Sequence, residues 1–308
     1  MKVLVFGGAG FLGSSLLPKL RARGHDVVAP RSSEIDLRQL PGPRPEFEGV
    51  EAVIHAAAIY GGMPFDMENS TDILSANMRM NINVFDLCKG IRPARLVTIG
   101  SACAYPGYST DDFTEEHFFT GPLHRTVACH GFTKLAMMVA HQVHFDSYGL
   151  KGVHLVPANL YGPVDVYRID RAHVVAALIK KYSDAVEGGG DVTLMGDGTA
   201  IREFLYIDDL SDMIVAALER PVNGYEVINA GTGVGHSIRQ LAEILADKLG
   251  FSGRTVWDGG ENGAMRKVMK VDRLQRVLGP FEPLSLEQGI ERTLEWYLPN
   301  KAAADARA

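Results

Sequence analysis

Three stretches of this 308-residue chain carry residue types whose spacing could do chemistry. The first is Gly7-Gly8-Ala9-Gly10-Phe11-Leu12-Gly13, a G-x-x-G-x-x-G turn. Small residues let the backbone approach a pyrophosphate, and a helix start offers unpaired N–H groups to the anion. The second is Ala29-Pro30-Arg31-Ser32-Ser33. An acidic residue there would hold a ribose 2′-hydroxyl, whereas a base accepts a 2′-phosphate, so Arg31 favours NADP(H) over NAD. The third gathers His124, Cys129-His130 and His141-x-x-His144. Neither pair has the closed four-ligand spacing of a structural zinc site. No metal is expected, and His141 and His144 read as surface histidines.

The elements that must position these residues alternate. Lys2–Phe6, Asp26–Ala29, Ala52–Ala57, Arg95–Gly100 and Val153–Pro157 read as short buried strands. Between them, Ser14–Arg23, Met78–Lys89 and Gly131–Tyr148 read as helices, the first and last closed by Gly24 and Gly149. This is the pattern of an α/β fold, a Rossmann-type doubly wound parallel sheet with helices on both faces. After Gly162-Pro163 the rhythm changes. Ala172–Tyr182, Asp208–Glu219 and Ser237–Leu249 are further helices, Glu187-Gly188-Gly189-Gly190 is a flexible break, and Asn300–Ala308 is a frayed tail. The division expected is a cofactor domain over 1–162 plus about 202–230. A smaller C-terminal α/β substrate lobe would take about 163–201 plus 231–308.

Composition narrows the classes further. Charged residues are 22% and hydrophobic ones 46%, a mix that buries a sizeable core and argues against disorder. The net charge of −6 gives no footprint for nucleic acid. No apolar run is long enough for a membrane span, and the one at Val3–Phe6 stops too early for a signal peptide. Three scattered cysteines make no disulfide framework, so a reducing, cytoplasmic setting is expected.

Further motifs follow the glycine turn in order: His55-Ala56-Ala57-Ala58-Ile59-Tyr60-Gly61-Gly62, Ser101-Ala102-Cys103-Ala104-Tyr105-Pro106, Asn159-Leu160-Tyr161-Gly162-Pro163, and Arg202-Glu203-Phe204-Leu205-Tyr206-Ile207-Asp208-Asp209. Over nearly its whole length the chain resembles the extended short-chain dehydrogenase/reductase family. Within the family it is most similar to the branch that epimerises and then reduces GDP-linked 4-keto-6-deoxyhexoses. The resemblance implies NADP(H) held by Gly7, Gly10, Phe11, Leu12, Gly13, Arg31, Ala56, Ala57, Lys134, Pro157, Asn159 and Leu160. It makes Ser101 and Lys134 part of the hydride site. It makes Cys103 the base and His173 the acid that invert the carbons flanking the ketone, chemistry suited to a thiolate and an imidazole on opposite faces. It assigns Asn159, His173, Arg202 and Lys267 to the GDP-linked 4-keto sugar. It also implies a homodimer through Met78–Lys89 and Gly131–Tyr148, with Leu135, Met138 and Val139 as an apolar stripe facing either the partner or the core. Pro64–Asp72 would be a loop shaping the sugar pocket.

One position departs from the family. Its Tyr-x-x-x-Lys reads His130-Gly131-Phe132-Thr133-Lys134. His130 and Lys134 are four apart near a helix start, hence on one face. An imidazole titrating near its ordinary value of about 6.5 is a competent acid near neutrality, though its ring is shorter than a phenol. Three outcomes follow: His130 replaces the tyrosine in a working epimerase/reductase, or reduction is lost and a non-redox epimerase remains, or the chain only binds the nucleotide sugar.

Overall fold

The computed structural model describes residues 1–40, 42–260 and 262–307. Among the described residues, twelve strands run in chain order: β1 Lys2–Phe6, β2 Asp26–Val28, β3 Ala52–His55, β4 Arg95–Ile99, β5 Gly152–Pro157, β6 Asn159–Tyr161, β7 Val192–Leu194, β8 Ile201–Tyr206, β9 Tyr225–Ala230, β10 Gly235–Ser237, β11 Thr255–Trp257 and β12 Arg266–Lys267. The helices are α1 Phe11–Ala22, α2 Met63–Glu68, α3 Ser70–Ile91, α4 Ala128–Tyr148, α5 Val174–Gly188, α6 Ile207–Glu219, α7 Ile238–Leu249, α8 Asp272–Leu278 and α9 Leu286–Ala306.

Six strands form one parallel sheet in the order β2-β1-β3-β4-β5-β9. Strands with no polar face must be covered on both sides. All four residues of β3 and all six of β5 are buried. On one face α1 and α6 pack through Leu16, Leu20, Leu210, Met213 and Ile214. On the other, α3 and α4 pack through Val84, Phe85, Leu87 and Met137. The order reverses between β1 and β3, and such a switch point opens a crevice at the strands' carboxyl ends.

A second core joins α5, α7 and α9 to the small sheet β10-β8-β12 and to β6, through Tyr161, Ile179, Tyr182, Phe204, Leu241 and Ile290. This sheet carries Asn159, Arg202 and Lys267. It therefore presents the C-terminal residues to the crevice.

Several expectations are corrected. Pro64–Asp72 is not a loop: it forms α2 and the start of α3, with Pro64 in a first turn, where its missing N–H costs nothing. The tail from Asn300 is not frayed: α9 runs to Ala306. Tyr297 donates to Asp305 at 2.8 Å, and Lys301 reaches Asp184 at 2.6 Å and Glu187 at 2.8 Å, which ties that end to α5; Ala308 lies outside the described residues. The break predicted at Glu187 starts later, because α5 extends from Val174 to Gly188. Helix α1 begins at Phe11 rather than Ser14.

Candidate active site

The glycine turn is built for a close anion. A Cβ at Gly13 would fall 2.1 Å from the Gly8 carbonyl oxygen, and one at Gly7 would fall 2.7 Å from the Ala56 backbone. Gly7 also sits at φ +91°, a conformation that L side chains avoid. The N-terminus of α1 has no side-chain cap and no acidic residue in its first turn, so its N–H groups and helix dipole face outward unneutralised. The cradle fits a dinucleotide pyrophosphate. Arg31 lies three residues beyond β2 and is exposed; it does not line the cavity at the strands' carboxyl ends.

A cavity of about 440 Å³ opens at the carboxyl ends of β1, β3, β4 and β5. Ser101, Cys103, His130, Lys134 and His173 all line it. So do Phe11, Leu12, Ala56, Pro157, Asn159, Leu160, Arg202 and Lys267. Gly7, Gly10 and Gly13 belong to the cradle, with the Ala57 nitrogen 2.7 Å from a Cβ built at Gly7, and none of these four residues lines the cavity.

Local folding explains how Ser101 and Cys103 come together with α4. Ser101 caps a single helical turn over Ala102–Ala104, and its Oγ accepts the Cys103 N–H at 3.1 Å. That turn packs on α4 at Gly131, where a Cβ would stand 2.3 Å from the Cys103 carbonyl oxygen. The glycine after His130 therefore lets the Ala102–Ala104 turn pack closely on α4. His173 sits at the N-terminus of α5 and enters from the lobe.

Burial controls the electrostatics. The Lys134 Nζ donates to the Ile99 carbonyl at 2.7 Å and is pulled down to about 8 by desolvation. His130 does not keep the ordinary histidine acidity expected above. Burial, then Lys134, His173 and Lys267, push it down to about 3. Its Nδ1 is buried without a partner among the described residues. His173 is likewise pushed to about 4 by burial. Both imidazoles are thus neutral at neutral pH. A neutral imidazole still polarises a carbonyl through its N–H.

The small sheet splits the Arg266-Lys267 pair. The Arg266 Nε donates to Asp112 at 2.8 Å, while Lys267 lines the cavity. Arg202 is mostly buried, donating to the carbonyls of Ile201 at 2.9 Å and Asn262 at 3.2 Å. Asn159 Nδ2 donates to the Glu203 carbonyl at 2.8 Å. One further expectation fails. His141 is not on the surface: it is fully buried, 3.4 Å from Thr98 Oγ1, while His144 binds the Ala140 carbonyl at 2.7 Å. The apolar stripe divides, since Leu135 and Met138 are in the core and Val139 is exposed.

Asp66 falls in the Pro64–Asp72 segment expected to shape the pocket, and His124 among the histidines considered for metal; the lining residues with no expected role are Tyr60, Thr126 and Asn262. The signal for Tyr60 is its place in the Ala-Ala-Ala-Ile-Tyr-Gly-Gly segment; the others have no sequence signal.

Comparison with known proteins agrees with this geometry. Residues 3–231 match the NAD dependent epimerase/dehydratase family. The chain is 32% identical to GDP-L-fucose synthase 1 of Arabidopsis thaliana over 304 residues, 97% of this chain and 94% of that protein. It is 30% identical to GDP-L-colitose synthase of Yersinia pseudotuberculosis over 310 residues, 98% and 99% of the two chains. The crystal structure of a GDP-L-fucose synthetase from Naegleria fowleri bound to NADP superimposes with a TM-score of 0.88 at 25% identity, covering 98% and 95%. With its parallel sheet, its glycine cradle and these full-length matches, the chain belongs to the NAD dependent epimerase/dehydratase family of extended short-chain dehydrogenases.

Proposed function

We propose that this protein is an NADPH-dependent epimerase and reductase acting on a GDP-linked 4-keto-6-deoxyhexose. One observation carries the reading: a single cavity is lined by Ser101, Cys103, His130, Lys134 and His173 together with Arg202 and Lys267. The relatives' names, GDP-L-fucose and GDP-L-colitose synthases, support the substrate class.

A ketone at carbon 4 acidifies the protons on carbons 3 and 5. A proton passed from the Cys103 thiol to His173 makes a thiolate base and an imidazolium acid. The thiolate then removes the carbon-bound proton, the electron pair moves into the enolate, and His173 returns a proton to the other face. NADPH, when bound in the cradle, supplies the hydride at carbon 4. Ser101 and the His130 N–H hold the ketone oxygen, and Lys134 orients the ribose. Arg31 takes the 2′-phosphate, with Phe11, Leu12, Ala56, Ala57, Pro157, Asn159 and Leu160 along the cofactor. Arg202 and Lys267 take the GDP end, for which guanidinium and ammonium groups are suited.

The same reading includes the domain division at about 162, 202 and 230, a cytoplasmic setting, and a homodimer. For the dimer, Phe132, Val139 and Val143 on α4 and Leu74 and Ile82 on α3 are exposed apolar side chains on two adjacent helices.

A second reading rests on His130 standing where the family carries its tyrosine: an epimerase without reduction. The test is NADPH consumption with GDP-4-keto-6-deoxymannose in deuterated water. Stoichiometric oxidation that disappears in Cys103→Ser supports the first reading. Deuterium uptake without oxidation supports the second. Saturable sugar-nucleotide binding with neither overturns both.

A further inference from the structure

The α4 site lacks a phenol, but the cavity does not. Tyr60 is the one tyrosine among the described residues that line it. Its ring stacks on His173 with centroids 5.3 Å apart and planes at 23°. It tilts over His130 at 5.7 Å and 42°. The loop that presents it is clamped. The Gly62 N–H donates to the Arg171 carbonyl at 2.9 Å, and a Cβ at Gly62 would lie 2.5 Å from the Ala172 carbonyl oxygen. The Gly61 N–H donates to Asp66 at 3.0 Å. The segment after β3 and the residues before His173 are thereby fixed against each other. Tyr60 is still 36% exposed, so solvent reaches it through the mouth of the cavity.

Resting on the reaction proposed above, we propose that Tyr60 is the phenol of this site, reaching the ketone oxygen from the loop after β3 and supplying the proton for reduction. As carbon 4 gains the hydride, the carbonyl π pair becomes a lone pair on oxygen. The Tyr60 O–H bond breaks, the new O–H bond forms on the sugar, and the phenolate recovers a proton from water. His130 stays a neutral N–H donor throughout.

The proton inventory of the cavity favours this division of labour. Partial burial, then Asp165 and Asp66, hold the Tyr60 phenol above its ordinary value, so it carries its proton at neutral pH. A sugar alkoxide is a stronger base still, and the transfer runs downhill.

The test is Tyr60→Phe, which keeps the ring and its stacking and removes only the hydroxyl. Reduction, deuterium uptake and calorimetric binding of GDP and of NADP⁺ are measured on the full chain. The expected result is reduction slowed by about 100-fold or more. Affinity for both nucleotides stays within about twofold, and deuterium uptake slows far less than reduction. His130→Gln, which keeps an N–H donor, is expected to retain reduction within about tenfold. Reduction by Tyr60→Phe within twofold of wild type overturns the assignment while leaving the reaction intact. Equal losses in reduction, exchange and GDP affinity overturn it in favour of a purely structural ring. If wild type neither reduces nor exchanges, the reaction reading itself fails and takes this assignment with it.

Discussion

Lys134→Met separates what the fold needs from what the chemistry needs. The substitution keeps a long unbranched side chain and removes a buried charge. Burial holds the ammonium at about 8 against 10.5 for a free lysine. At about 1.36 kcal/mol per pH unit, keeping it charged at neutral pH costs the fold roughly 3 kcal/mol. Its charge-assisted hydrogen bond to Ile99 offsets about 1.5–3 kcal/mol of that. The methionine variant should therefore lie between equal stability and about 1.5 kcal/mol more stable. In a chain of this size that is a rise in Tm of up to about 4 °C. The sign with pH is also fixed. Below about 8 both folded and unfolded chains hold the proton, and the penalty is complete. Between about 8 and 10.5 only the unfolded chain holds it, so wild-type stability rises with pH across that window. The variant lacks that rise, and its advantage should shrink at alkaline pH. Thermal melts without nucleotide, at neutral pH and again above pH 9, read both effects, while NADPH oxidation should be lost. A variant that melts more than about 4 °C below wild type at neutral pH refutes the reasoning, because the ammonium would then be a net stabiliser.

Three other outcomes follow from the same geometry. With His130 and His173 neutral down to about 3 and 4, kcat/KM should show no break at the ordinary histidine value of 6.5; it should fall on the alkaline side near 8 with Lys134. A clear break near 6.5 contradicts the burial argument. Gly13→Ala puts a Cβ 2.1 Å from backbone oxygen, so calorimetry should find NADP⁺ binding abolished and melts a destabilisation of about 1–3 kcal/mol. Phe132 and Val143 are 52% and 51% exposed on α4, so the double change to lysine should convert a dimer to a monomer in light scattering. A wild type already monomeric removes the proposed interface.

The parts legible in the sequence are those whose signal is local. The glycine turn and the buried strands each sit within a few residues, and the family motifs mark Ser101, Cys103, Lys134 and His173. What the sequence hid depends on distant partners. The tail reads as frayed because chain ends are poorly ordered unless tied down, and here the ties come from distant α5, which hold α9 together despite Pro299 within it. Pro64–Asp72 looked like a loop because its helix is only one or two turns long and breaks at Asn69. His141 looked exposed because a buried histidine on a helix resembles a surface one until Thr98 and Tyr225 close over it. The acidity of His130 was misjudged for the same reason: the ordinary value assumes water, and the cavity wall removes it. Tyr60 stood inside a quoted motif, but its relation to two histidines more than 60 residues away exists only in the folded chain.

The central claim is that thiol, imidazoles and lysine act on one sugar in one cavity. Its most direct test is an NMR time course in deuterated water with GDP-4-keto-6-deoxymannose and NADPH. Every molecule reduced at carbon 4 should carry deuterium at carbons 3 and 5. Reduced product that still holds its original protons there would contradict the claim, because the two chemistries would then not share a site.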